Sequence, residues 1–98
     1  MESFDEVIQS PTPVLVDFFA TWCGPCRMMH PILEELHEKM GDKVRIIKID
    51  IDKNEALAAK YFIQSVPTLM IFKNGKQEWR ASGVKSVEDL KRMLEAYL

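Results

Sequence analysis

Cys23 and Cys26 are the only cysteines among the 98 residues, and just Gly24 and Pro25 separate them. A bridge between them closes too small a loop to contribute much stability, so the pair matters for its chemistry rather than as a staple. At the start of a helix, unpaired backbone N–H groups and the positive end of the dipole favour a thiolate. Only the thiolate attacks a disulfide. Two intervening residues place the second sulfur one helical turn on, near enough to bridge to the first yet less exposed. The exchange this permits moves two electrons. Cys23 attacks a substrate disulfide, a mixed disulfide forms, and Cys26 attacks the Cys23 sulfur to release the reduced product. Gly24 lets another backbone approach, and Pro25 suits a first helical turn, where a missing N–H costs nothing. No metal or organic cofactor is required within the chain.

Other uses of a C-x-x-C pair fare worse. Structural zinc needs a second pair of ligands, and the only histidines, His30 and His37, share a helix with Cys26 at the wrong spacing. Haem attachment needs histidine at position 27, where Arg27 stands. Asp50-x-Asp52-x-Asn54 has the opening of a calcium loop, but Glu55 replaces the required glycine and Tyr61 the terminal glutamate. The Met28-Met29 pair reads as core and helix packing.

The elements that must position the cysteines follow from periodicity. Val14 to Phe19 is a continuous apolar run broken by Asp17, the pattern of a strand buried on both faces. From Cys23 to Met40, Met29, Ile32, Leu33, Leu36 and Met40 recur at helical spacing, Gly41 supplies a stop, and Pro31 predicts a kink. Ser3-x-x-Glu6 predicts a short capped helix from Phe4 to about Gln9. Val44 to Asp50 reads as a strand, Asn54 as the cap of a helix through Tyr61 and Phe62, and Thr68 to Phe72 as a strand. Asn74-Gly75 signals a hairpin whose return strand is Gln77 to Ala81. Ser86-x-x-Asp89 caps a last helix with Val87, Leu90, Leu94 and Tyr97 inward. Alternating strands and helices closed by a hairpin make an α/β fold, a mixed sheet covered by helices on both faces.

Hydrophobic residues at 47% and charged residues at 29% describe an ordinary soluble globular chain. Its length allows one core and one domain, residues 1–98. A net charge of -2 argues against nucleic acid as a partner. The acidic opening Met1 to Glu6 lacks the positive start of a signal peptide, and no apolar run nears the roughly 20 residues that span a bilayer. Together with cysteine usage, this predicts a cytoplasmic protein with no membrane partner.

Val14-Leu15-Val16-Asp17-Phe18-Phe19-Ala20-Thr21-Trp22-Cys23-Gly24-Pro25-Cys26, then Val66-Pro67-Thr68, then Phe72-Lys73-Asn74-Gly75, resembles the thioredoxin family in order and over nearly the whole chain. The resemblance implies the thioredoxin fold and a general protein-disulfide reductase that acts in cell redox homeostasis through a redox-active Cys23–Cys26 disulfide. It implies a monomer with no bound cofactor, recycled by thioredoxin reductase, which alone carries the FAD and the link to NADPH. The implied substrates are proteins of the ribonucleotide reductase, methionine sulfoxide reductase and peroxiredoxin type. Asp17 matches the family's aspartate, which assists proton transfer at the resolving cysteine; burial would raise its pKa. Lys48 matches the position that approaches this aspartate, although the residues alone allow an exposed edge lysine equally well. Val66-Pro67 matches a cis bond facing the disulfide, in a loop that offers backbone hydrogen bonds to an extended substrate. Trp22 borders the site, and Gly83 matches a glycine that keeps the docking surface flat. With Gly24, Pro25, Val66 and Pro67, Gly83 would form the apolar patch around Cys23. His30 falls where family members vary, and reads as an exposed helical residue.

The chain departs from the family in opening at the first helix, so an N-terminal first strand is expected to be absent. Phe19 replaces a frequent tryptophan, and Ser82 an apolar neighbour of the docking glycine. Gly-Pro between the cysteines favours a reductase over an oxidant or isomerase, which usually carries histidine there. A docking or processivity factor on the same fold would survive Cys23→Ser and Cys26→Ser; a reductase cannot.

Overall fold

The computed structural model describes residues 2–98. In chain order it contains α1 (Phe4–Val7), β1 (Val14–Phe19), α2 (Gly24–Met40), a 3-10 turn at Gly41–Lys43, β2 (Arg45–Asp50), α3 (Glu55–Lys60), β3 (Thr68–Lys73), β4 (Lys76–Ser82) and α4 (Val87–Glu95). The four strands form one sheet in the order β2-β1-β3-β4. β1 runs parallel to β2 and antiparallel to β3, and β3 pairs antiparallel with β4. This is the mixed sheet expected of a thioredoxin fold, with β2 and β4 at its edges among the described residues.

Strand alternation sorts the core into two layers. Leu15, Leu69 and Ile71 pack with Met29, Leu33 and Leu36 of α2 and Leu90 and Leu94 of α4. Val14, Val16, Phe18, Met70 and Phe72 point to the opposite layer, toward Phe4 and Val7 of α1 and Leu57 of α3. There Phe4, Phe18, Tyr61 and Phe72 form an aromatic cluster with ring centroids 5.6 to 6.4 Å apart. Central strand β1 is covered on both faces, which is why its sequence is apolar without alternation.

Several local expectations shift. The first helix is shorter than predicted. α1 ends at Val7, because Gln9 N–H and Ser10 N–H bond three residues back, to the Glu6 and Val7 carbonyls, in a tighter turn. Met29 is core as expected, but Met28 stands 60% exposed on the outer side of α2. Helix α2 runs through Pro31 from Gly24 to Met40. At the hairpin, Asn74 and Gly75 take φ of 53° and 81°, as a tight two-residue connection requires.

Helix α3 departs most. Asn54 occupies the N-cap position without capping; its amide instead donates to the Asp50 carbonyl at 3.0 Å. The helix stops at Lys60, with Ile63 N–H bonding Ala58 O and Phe62 N–H bonding Ala59 O. This is the double hydrogen bond that closes a helix on a left-handed residue, and Phe62 supplies that residue at φ 53° where glycine would be unstrained. The Arg80 guanidinium fixes the turn by donating to the Tyr61 and Phe62 carbonyls. Because Phe62 is 75% exposed, its ring gains little from packing. Phe62→Gly is therefore expected to raise the thermal midpoint by a few degrees, equivalent to about 0.5–1 kcal/mol. A midpoint lowered in differential scanning calorimetry would refute this account of the turn.

Candidate active site

The C-terminal ends of the parallel strands β1 and β2 lie at the same edge of the sheet, the usual location of a site in such an arrangement. Three residues after β1, the chain turns into α2, and Cys23 caps the helix. Its sulfur accepts the Cys26 N–H at 3.1 Å, so one of the helix's orphan donors already points at the reacting atom. Pro25 stands in the first turn, where no donor is lost. Cys23 and Cys26 form a disulfide with Cα atoms 5.2 Å apart. Cys23 retains 5% exposure and Cys26 none, which gives the two sulfurs unequal access to a partner.

Of the predicted surroundings, Val66 packs directly against Cys23. Its sulfur lies 3.6 Å from the Val66 carbonyl oxygen. Val66-Pro67 is cis, Pro67 is buried, and the Pro67 carbonyl accepts Gly83 N–H at 2.9 Å. Gly83 has φ 90°, a conformation that favours glycine, and open space where a side chain would begin. Gly24 is likewise open, so nothing within the folded chain crowds it. A cleft of about 400 Å³ beside the disulfide is lined by Trp22, Ile51, Ile63, Gln64, Ser65 and Val66.

Trp22 is 67% exposed, yet its ring is anchored, because Nε1–H donates to Asp52 Oδ2 at 2.9 Å. Asp52 is the site residue that sequence reasoning missed, having weighed it only as a calcium ligand. Its placement had a signal. Asp50 accepts the Asp52 N–H at 2.9 Å, an Asx turn, and Asp-x-Asp after a parallel strand puts the second carboxylate at the cysteine edge.

Asp17 lies between Leu15 and Phe19 on the sheet face toward α2, the helix that carries Cys26. It is fully buried, and neither carboxylate oxygen has a hydrogen-bond partner among the described residues. Burial pushes its pKa up to about 6, against a smaller opposing pull from the Lys48 ammonium. Lys48 stands opposite Asp17 in the parallel register, but it is exposed and forms no ion pair with it. Its ammonium donates instead to His30 Nδ1 at 3.0 Å. His30 is thus only partly exposed, its ring edge-on to Phe19, rather than a free helical surface residue.

Among the described residues no three His, Cys, Asp or Glu side chains gather as metal ligands would. The arrangement can exchange disulfides: one accessible sulfur at a helix start, one buried sulfur beside it, and, on the same side of the sheet, a buried carboxyl whose pKa burial raises to about 6.

Comparison with known proteins agrees with the geometry. The family model described as Thioredoxin matches residues 1–96. The chain is 47% identical over 85 residues to a thioredoxin of Bacillus subtilis, covering 87% of this chain and 82% of that one. It is 50% identical over 97 residues to "Thioredoxin Y, chloroplastic" of Oryza sativa subsp. japonica, covering 98% of this chain but spanning only 58% of that protein's length. Among solved structures, a single-residue mutant of a thioredoxin from Halobacterium salinarum superposes with a TM-score of 0.86 at 41% identity, covering 95% of this chain and 80% of that one.

Proposed function

The chain belongs to the thioredoxin family of disulfide oxidoreductases, and from that premise we propose that it is a general protein-disulfide reductase in which Cys23 is the nucleophile, Cys26 the resolving thiol and Asp17 the proton partner of Cys26. The observation that carries this reading is Cys23 at the cap of α2, its sulfur already receiving a backbone N–H.

In the reduced protein the Cys23 thiolate attacks one sulfur of a substrate disulfide. A bond forms between Cys23 and that sulfur, and the other substrate sulfur departs as a thiolate and takes a proton from water. Cys26 then loses its proton to the Asp17 carboxylate and attacks the Cys23 sulfur. The mixed disulfide breaks, the second substrate thiolate leaves, and the Cys23–Cys26 disulfide holds the two electrons' worth of oxidation. The cleft beside Trp22 and the Val66 carbonyl receives the extended substrate segment, with Gly24, Pro25, Pro67 and Gly83 completing the docking surface.

The proposed partners are a thioredoxin reductase that returns two electrons from NADPH through FAD, and disulfide-bearing proteins of the ribonucleotide reductase, methionine sulfoxide reductase and peroxiredoxin type. Residues 1–98 act as one domain and a monomer. The proposed setting is a reducing compartment, cytoplasmic or its plastid counterpart, the rice relative being a chloroplastic protein. Among the described residues no helix is long and apolar enough to cross a membrane.

Insulin with dithiothreitol tests the reading. Catalytic amounts of the protein are expected to bring on turbidity from the reduced insulin chains well before the dithiothreitol control. Onset no earlier than that control would remove the reductase function.

A further inference from the structure

Lys48 and Asp17 are register partners on neighbouring parallel strands, so both side chains leave the sheet on the same face. A flexible ammonium therefore stands next to a buried carboxyl whose two oxygens have no partner among the described residues. Such a pair would ordinarily close into a charge-assisted contact. Here the ammonium is engaged elsewhere, 3.0 Å from His30 Nδ1. An ammonium only donates, so Nδ1 is the acceptor, and the imidazole is neutral with its proton on Nε2. The ring is held for this task edge-on to Phe19, centroids 5.6 Å apart and planes at 83°.

We propose that His30 is a positioning residue whose Nδ1 holds the Lys48 ammonium off Asp17 and leaves that carboxyl unpaired beside the cysteine helix. Lys48 gains an acceptor in a largely hydrated position and avoids the desolvation that entry beside buried Asp17 would demand. The charged and titratable groups around the cluster are Asp17 from β1, Lys48 from β2 and Glu34 from α2. Glu34, His37 and Glu38 line the groove along the outer side of Lys48. Partial burial, and then the Lys48 charge, hold the His30 pKa below its ordinary value against a smaller opposing pull from Glu34. The imidazole thus keeps its acceptor lone pair at neutral pH.

The consequence falls on Asp17. An opposite charge within about 4–6 Å of a carboxyl favours its ionised form by roughly 1–3 pH units. With Lys48 held away, the carboxyl can hold and release a proton near neutrality; paired with Lys48, it would stay ionised. The catalytic weight of this device rests on the proposed role of Asp17 toward Cys26, whereas the positioning itself does not.

Titration of the Asp17 carboxyl by 13C NMR in the oxidised full chain separates the two. His30→Ala is expected to move the Asp17 midpoint down by about one pH unit as Lys48 swings in. His30→Asn, whose Oδ1 can replace Nδ1 as acceptor, should retain the parent midpoint. On a Lys48→Met background, His30→Ala should change nothing. An unmoved midpoint in His30→Ala overturns the proposal, and so does a drop that survives in Lys48→Met. If the carboxyl midpoint moves while the pH profile of disulfide reduction stays in place, the proton-transfer role of Asp17 falls and the positioning by His30 stands.

Discussion

Cys26→Ser is expected to convert the protein from a catalyst into a trap. Cys23 remains at the cap of α2 with the backbone N–H of residue 26 directed at its sulfur, so the first attack still proceeds. The second step then has no thiol to perform it, because a serine hydroxyl at neutral pH is neither ionised nor able to form a disulfide. The mixed disulfide with the target accumulates, and turnover of insulin falls by on the order of 10³-fold or more. Cys23→Ser should lose turnover to the same extent but leave no adduct, because Cys26 is fully buried and cannot reach an external disulfide. The two variants thus assign the order of attack. Non-reducing gels and intact mass after incubation with a disulfide substrate read the adduct directly. Equal adduct from both variants, or adduct from Cys23→Ser alone, would reverse or abolish the assignment of nucleophile and resolver.

Asp17→Asn is expected to make the protein more stable and less active. The carboxyl has a pKa of about 6 when folded, against 3.8 for an unburied aspartate, because burial disfavours its ionised form. Between those values the folded state holds a proton that the unfolded state has released. Stability therefore falls as pH rises through that window, and the full penalty applies above the folded value. At 1.36 kcal/mol per pH unit it amounts to roughly 3 kcal/mol, a large fraction of the stability of a small domain. Asparagine removes the ionisation and keeps the shape. Urea unfolding of the oxidised proteins should show the variant ahead by about 3 kcal/mol at pH 8 and level with the parent near pH 4. Reduction of protein disulfides should meanwhile slow by about 10²-fold, the usual worth of a positioned proton acceptor. A gain of the same size at both pH values would show that burial of charge is not its source. An unchanged reduction rate would remove Asp17 from the mechanism.

The two outcomes belong together. A buried carboxylate without a partner destabilises the fold, and the cause is the same desolvation that sets its pKa within reach of a thiol's proton chemistry. Phe62 shows the contrast: a strained residue 75% exposed, whose replacement by glycine should stabilise the protein without touching the chemistry of the cysteines.

Much of this was legible along the chain. The apolar run Val14 to Phe19 marked the doubly covered strand β1, and the spacing of Met29, Leu33 and Leu36 marked the buried face of α2. Asn74-Gly75 marked the hairpin, and Ser86 the last helix cap. These signals are local or depend on periodicity, so a sequence states them outright. The placing of Val66-Pro67 and Gly83 beside Trp22 to Cys26 is different: only the resemblance to the family implies it. The end of helix α3 is not legible locally, because it depends on Arg80, a residue 18 positions beyond Phe62, gripping the carbonyls of the turn. Its cap is not either, because the Asn54 amide is taken up by the Asp50 carbonyl at the end of β2.

The sequence by itself pointed to the reaction class, because the run from Trp22 to Cys26, with Val66-Pro67-Thr68 downstream, resembles one family of disulfide oxidoreductases, and periodicity marked the strands and helices that carry the cysteines. The tertiary structure alone decided which polar side chains meet. Trp22 anchors on Asp52, Lys48 turns to His30, and Asp17 is left unpaired in the core. These contacts span 18 to 30 residues, and they depend on strand register and on how long, flexible side chains resolve competing partners. No local spacing encodes that competition; it is settled only when desolvation, reach and packing act together in the folded chain.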